Sequence, residues 1–261
     1  MTDVRRVTER IDGCAVSVQR AGQGEPLLFL HGARGALHWL SFMDALARRF
    51  EVIVPEHPGF GRSETPDWLD TVGDLAYFYL DFIAALGLEK VNLVGTSLGG
   101  WIAAELAVRD RSALRTLTLV AAAGIHVKGV PKGDLFLWSP EQTARNLFVD
   151  QRFAEAMLSR ALPEEEQDLM MKNALMTAKL AWQPRLYNPH LAKWLHRIRT
   201  PTLILWGDGD RLIPPAYGSA FRDLIPGARL EILRECGHLP QLEKPEEFVA
   251  AVEGFIAEAR S

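Results

Sequence analysis

The residues best suited to do chemistry are Ser97, in Gly95-Thr96-Ser97-Leu98-Gly99, His238, in Cys236-Gly237-His238-Leu239, and the pair Asp208 and Asp210, which follow Trp206-Gly207. A serine hydroxyl is a weak nucleophile near neutral pH. It needs a base within hydrogen-bond reach, and that base needs a carboxylate to hold its tautomer. Serine, aspartate and histidine occur here in the chain order of one recurring arrangement for attack on an acyl carbonyl. Asp208 and Asp210 compete for the acid role on these grounds, and either residue type also makes Asx turns and helix caps.

Attack on a carbonyl also needs amides aimed at the developing oxyanion. The amide after the nucleophile, Leu98, is one candidate, and the Gly-containing segment His31-Gly32-Ala33-Arg34-Gly35 offers Ala33 as the other. His31, at a strand end beside Gly32, reads as a structural hydrogen-bonding residue, and Arg34 as a solvated loop residue that could also meet an anionic substrate group.

Such groups must be carried on elements that meet at one edge. Val91–Gly95 reads as a strand, Thr96–Gly100 as a sharp turn and Trp101–Asp110 as a helix, so Ser97 sits at a strand-to-helix elbow, whose helix dipole and first amides favour negative charge. Continuous apolar runs in PLLFLHG, FEVIVPEH, VNLVGTS, LRTLTLVAAAG, PTLILWGDGD and ARLEILREC read as strands buried on both faces, and CAVSVQRAG as an edge strand. Helical segments are expected at Ala36–Arg49, Thr71–Leu86, Leu98–Arg109, Pro215–Leu224 and Pro245–Ala259. This alternation is the pattern of a mostly parallel α/β sheet with helices on both faces. It breaks between 124 and 196, where no strand-like run appears. We read residues 1–123 and 197–261 as one α/β core and 124–196 as an inserted helical cap.

Bulk properties bound the rest. The chain has 261 residues, 48% hydrophobic and 24% charged, close to globular averages and long enough for one sizeable core. A net charge of -4 without a Lys/Arg block speaks against nucleic-acid and membrane partners. Two cysteines, Cys14 and Cys236, exclude a disulfide framework and suit a reducing compartment. The N-terminal stretch has no apolar run behind its early positive charge, so a cytoplasmic location is expected. No phosphate-cradling glycine motif and no His/Cys/Asp cluster with metal spacing is present, so neither cofactor nor metal is expected. Nothing in the sequence speaks to oligomeric state.

At the level of motifs the chain resembles the α/β-hydrolase superfamily from about Val16 to Ala259. The resemblance rests on LHG at 30–32, PEHPGFGRS at 55–63, GTSLGG at 95–100, WGDGDRLIP at 206–214 and GHLPQLEKPEEF at 237–248, in the family's order. It implies a mostly parallel sheet of roughly eight strands with an inserted helical cap, and a Ser97-Asp210-His238 triad. Asp210 is chosen because the family's acid stands three residues beyond the tryptophan-glycine strand end. Glu56 and His57 stand where the family often has an aspartate and its neighbour. Residues 31–35 match neither the Gly-Pro-Gly continuation of carbon-carbon bond hydrolases nor the His-Gly-Gly-Gly of lipases.

The expected activity is hydrolysis of carboxylic esters of small, largely apolar molecules through an acyl-enzyme on Ser97. Arg34, Trp138 and Leu239 are candidate substrate contacts, and the many Met, Phe and Trp residues of 124–196 suit an apolar pocket. The same machinery could open lactones, cleave a carbon-carbon bond of a vinylogous diketone or carry out perhydrolysis. The reading from another class is a triad-bearing small-molecule receptor.

Overall fold

The computed structural model describes residues 3–260. Its strands are β1 (Arg5–Ile11), β2 (Cys14–Ala21), β3 (Glu25–Leu30), β4 (Phe50–Pro55), β5 (Val91–Thr96), β6 (Leu114–Val120), β7 (Thr202–Gly207) and β8 (Arg229–Leu233). They form one eight-stranded sheet in the order β1-β2-β4-β3-β5-β6-β7-β8. β2 runs antiparallel to β1 and β4, and the remaining pairs are parallel. Every residue of β5 and β7 is buried, as expected of parallel strands covered on both faces.

Helices α1 (Ser41–Leu46) and α9 (Pro245–Glu258) close one face, through Phe42, Leu46, Phe248 and Val252. Helices α2 (Val72–Ala85), α3 (Leu98–Arg109) and α7 (Ala216–Leu224) close the other. The α2 stripe Leu75, Phe78, Tyr79 and Phe82 is buried. Its start is set by a capping box: the Asp74 amide donates to Thr71 Oγ1 at 3.3 Å, and Asp74 Oδ2 accepts the Thr71 amide at 2.7 Å. Between β6 and β7 lie α4 (Pro140–Leu147), α5 (Gln151–Ser159), α6 (Glu164–Ala181) and a 3-10 helix, Ala192–Arg197. No helix among the described residues is long and apolar enough to cross a membrane.

Three expectations are corrected. β2 is not an edge strand, because the charged segment Arg5–Ile11 pairs outside it over its whole length. β8, expected to be buried on both faces, is the opposite edge, with Arg229 and Ile232 exposed. The helix expected over Ala36–Arg49 shortens to Ser41–Leu46. The Ala36 carbonyl accepts from Gln19 Nε2 and the Leu37 carbonyl from Arg6 Nη2, so both are spent on side chains instead of on a helical turn.

Candidate active site

β5 delivers Ser97 to the carboxyl edge of the sheet on a strained turn, with φ 53° and ψ -113°. The elbow is closed by backbone: the Ser97 amide donates to Val120 O at 2.9 Å, and Ser97 O accepts the Trp101 and Ala123 amides, both at 3.1 Å. Glycine is required at 99 because a Cβ there would be driven into the Leu30 and His31 carbonyl oxygens.

The turn after β7 brings Asp210 in from one side, and the loop after β8 brings His238 in from another. His238 Nδ1 lies 2.8 Å from Asp210 Oδ2, and His238 Nε2 lies 3.0 Å from Ser97 Oγ. All three residues are buried. Asp210 Oδ1 accepts the Leu212 and Ile213 amides, both at 2.9 Å, which turns the second oxygen toward the imidazole. In that arrangement Nδ1 carries the proton it donates to Asp210, leaving Nε2 free to accept the Ser97 hydroxyl. Asp208, the competing acid, is exposed and accepts the Cys236 amide at 3.3 Å.

The loop after β3 abuts the same oxygen: a Cβ built on Gly32 would stand 3.3 Å from Ser97 Cβ and 3.9 Å from Oγ. Among the described residues neither the Ala33 amide nor the Leu98 amide donates to a protein acceptor. For Leu98 this follows from its place in the first turn of α3. Two unused donors therefore lie next to the residues that meet here, Leu98 beside Ser97 and Ala33 beside Gly32.

Two buried imidazoles hold this loop from beneath. His31 Nδ1 donates to Gly32 O at 2.7 Å, and its Nε2 accepts the His57 amide at 3.0 Å. The His57 ring stacks on His31 with centroids 3.6 Å apart, donates from Nε2 to His31 O at 2.9 Å and accepts from Tyr79 Oη at 2.5 Å. Burial lowers the His31 pKa to about 4 and takes His57 well below its ordinary value. Both rings are accordingly neutral, and His31 has the structural role expected of it.

A family model described as alpha/beta hydrolase fold matches residues 25–245. The chain belongs to the α/β-hydrolase fold family. Among curated relatives, this α/β-hydrolase chain is 30% identical to 2-hydroxymuconate semialdehyde hydrolase of Pseudomonas sp. strain CF600, over 95% of this chain and 92% of that one. It is also 30% identical to the dihydrolipoyllysine-residue acetyltransferase component of the acetoin cleaving system of Cupriavidus necator, over 94% of this chain and 67% of that protein. Among solved structures, a membrane phospholipase A superposes with a TM-score of 0.81 at 28% identity, covering 99% of this chain and 87% of that one.

The three expected substrate contacts are less tightly gathered. Arg34 is exposed beside Ala33, and its guanidinium has no hydrogen-bond or ion-pair partner among the described residues. Leu239, half-buried, follows His238 and caps α8 (Pro240–Glu243). The Trp138 ring lies where a Cβ on Gly133 would meet it, packing the segment ahead of α4.

Three residues not singled out by type or motif tie the helices between β6 and β7 to the site. Asn173 on α6, 1% exposed, donates from Nδ2 to Arg34 O at 2.9 Å and accepts the Gly61 amide at 2.7 Å. Thr177, one turn on, donates to Ala33 O at 3.3 Å. Glu243 on α8 accepts the Val149 and Asp150 amides on Oε1, at 2.8 and 2.6 Å, and the Gly237 amide on Oε2 at 2.6 Å. The His238 amide itself donates to Leu147 O at 2.8 Å. The legible signal was polarity out of place, since Asn173 and Thr177 share the buried face of α6 with Met176 and Leu180. Cys236, beside these groups, is no rival nucleophile: burial and the nearby Glu243 push its thiol pKa up to about 12.

Proposed function

We propose that this chain is a serine hydrolase that cleaves carboxylic esters of small, largely apolar molecules through an acyl-enzyme on Ser97. The observation that carries the reading is the hydrogen-bonded line from Asp210 through His238 to Ser97, with the two unengaged amides of Ala33 and Leu98 alongside. Ser97 Oγ attacks the ester carbonyl carbon while His238 Nε2 takes its proton, and the two amides hold the tetrahedral oxyanion. His238 then gives that proton to the departing alkoxide. Water, deprotonated by the same nitrogen, opens the acyl-enzyme and frees the acid. Asp210 stays ionised and holds the imidazolium in place. Residues 124–196 act as a cap that limits what reaches Ser97, and Arg34, Trp138 and Leu239 are the substrate contacts we favour.

A second reading, hydrolysis of a carbon-carbon bond with the same triad, is favoured by the relative whose name gives 2-hydroxymuconate semialdehyde as its substrate. Against it stands the loop 31–35, which lacks the Gly-Pro-Gly continuation.

The test is trapping with a fluorophosphonate followed by peptide mapping. Label is expected on Ser97, absent in Ser97→Ala and His238→Ala, and Ser97→Ala should lose at least a thousandfold in turnover of a good ester. Label elsewhere, or a loss below a hundredfold, would remove the covalent mechanism. A panel of short esters, long esters, lactones and 2-hydroxymuconate semialdehyde, ranked by kcat/KM, then separates the two bonds.

A further inference from the structure

Outside the triad, the segment leading from β6 toward α4 folds back on the chain that leaves α6 and borders a half-open cavity of about 250 Å³. Its walls include Lys132, Arg185, Phe136, Tyr187 and Tyr217, and no residue of the triad or of 31–35 lines it. The cations of this cavity are unequal. Arg185 pairs with Asp134 and lies over the Trp182 ring. Lys132 has no carboxylate within 4.0 Å among the described residues; its ammonium donates to the Arg185 carbonyl at 2.9 Å and the Leu186 carbonyl at 3.0 Å. It sits 5.0 Å from the Tyr187 ring centroid and 5.6 Å from that of Tyr217. Two of its three protons are therefore spent on neutral acceptors, and the charge is half-buried without a counter-ion.

We propose that this cavity is an accessory binding site for a small aromatic monocarboxylate, with Lys132 as its counter-ion and Phe136, Tyr187 and Tyr217 as its ring walls. The charge count favours an anion: Asp134 is used by Arg185, so the cavity lining carries one positive charge without a carboxylate partner. A desolvated charge without a partner is costly, and an entering carboxylate relieves that cost while accepting the remaining ammonium proton. The size suits a small one, because a cavity of about 250 Å³ is modest beside those that hold drug-sized ligands. The aromatic walls select a flat apolar body behind the carboxylate.

Burial supports the assignment by bringing the Lys132 pKa down to about 8, so the ammonium titrates within reach of ordinary buffers. The charged and titratable groups facing it are Arg185 and Asp134, held by each other, the phenols of Tyr187 and Tyr217, and the exposed His126 on the rim. The Tyr217 hydroxyl is occupied in donating to Val130 O at 2.8 Å. The site also touches the catalytic edge through backbone: the Gly133 amide donates to Leu212 O, and the Gly124 amide to Leu186 O. This assignment does not rest on the proposed esterase reading.

The probe is benzoate, titrated calorimetrically into the full chain. We expect binding to wild type and Ser97→Ala alike, and a loss of at least tenfold in affinity in Lys132→Met. Benzoate stays ionised throughout, so its affinity for wild type should fall about 30-fold from pH 7 to 9.5 as Lys132 loses its proton. Absence of binding, an affinity flat over that pH range, or Lys132→Met binding as well as wild type would each overturn the site. The last outcome would mean that benzoate occupies the Ser97 centre instead. Should Lys132→Met fail to fold, the pH series on wild type decides alone.

Discussion

The two sides of the Ser97 site are built differently. Ser97 and the floor of the loop 31–35 are held by the sheet: Ser97 by backbone bonds to Val120, Trp101 and Ala123, and residues 31–32 by two stacked imidazoles under the strand ends. The His238 loop and the rim of the loop 31–35 are instead tied, through α8 and α6, to the segment between β6 and β7. Glu243 bonds the Gly237, Val149 and Asp150 amides together, Leu147 accepts the His238 amide, and α6 grips Arg34 and Ala33. In the proposed mechanism a nucleophile held by the sheet thus faces a base and oxyanion amides whose positions depend on the helices between β6 and β7. In physical terms the first side fails when the core is charged or loosened, and the second when a single side chain is lost.

The largest effect belongs to the core-held side and is read as acid sensitivity. His31 titrates near 4 in the folded chain against an ordinary 6.5, so below pH 6.5 the unfolded chain binds a proton that the folded chain refuses. Stability is full above about pH 6.5 and falls as the pH drops toward 4, by about 3 kcal/mol from His31 alone, with His57 acting in the same direction. Melting temperatures measured from pH 7 to 5, above the range in which most carboxylates protonate, should fall steadily. A flat profile there would mean that the imidazole pair is not the neutral support described.

Much of this contrast was legible in the chain and some was not, for reasons that are local. Ser97, Asp210 and His238 stand at strand ends, and period-of-chain arguments place strand ends well; the structure brings all three within hydrogen-bond reach. Asp208 and Asp210 were separable only by family pattern, because the deciding fact is which oxygen the Leu212 and Ile213 amides turn toward His238. β1 was missed because an edge strand has one neighbour and tolerates the charges of Arg5, Arg6, Glu9 and Arg10, which hide its alternation. Asn173 leaves a trace, a polar residue on the apolar face of α6, but its partners do not, and Glu243 leaves neither, because their bonds run to backbone amides and carbonyls that no residue type advertises.

Glu243→Gln tests the side tied to the helices between β6 and β7 and is the next largest effect. The carboxylate has only acceptors to offer its three amides; an amide side chain must turn its NH₂ group on at least one of them. One buried donor then loses its partner, at about 1–3 kcal/mol. If the Gly237 amide is released, the His238 loop shifts against Ser97. We expect kcat on a small ester to fall about 10-fold or more with a smaller change in KM, because the proposed base acts on the transition state. Activity within twofold of wild type would show that the sheet positions the base unaided, and the comparison would collapse.

The smallest effect separates the two grips of α6. Asn173→Ala removes an N–H donated to Arg34 O and an oxygen that accepts the Gly61 amide, so the loop loses support and Gly61 is left with an unpaired donor. Thr177→Val keeps the shape and removes one longer bond, 3.3 Å to Ala33 O. Each ordinary hydrogen bond is worth about 1 kcal/mol of stability, of which only a part reaches the reacting centre through the loop, so Asn173→Ala should lower kcat about fivefold and Thr177→Val about twofold. The order matters more than either size. Asn173 holds the loop one residue beyond Ala33 and braces it against Gly61, whereas Thr177 touches Ala33 directly but weakly. Equal losses would point to α6 acting as one rigid body on the loop 31–35; a larger loss in Thr177→Val would make direct contact with the Ala33 peptide, and not the brace to Gly61, the feature that sets the Ala33 amide in its proposed role.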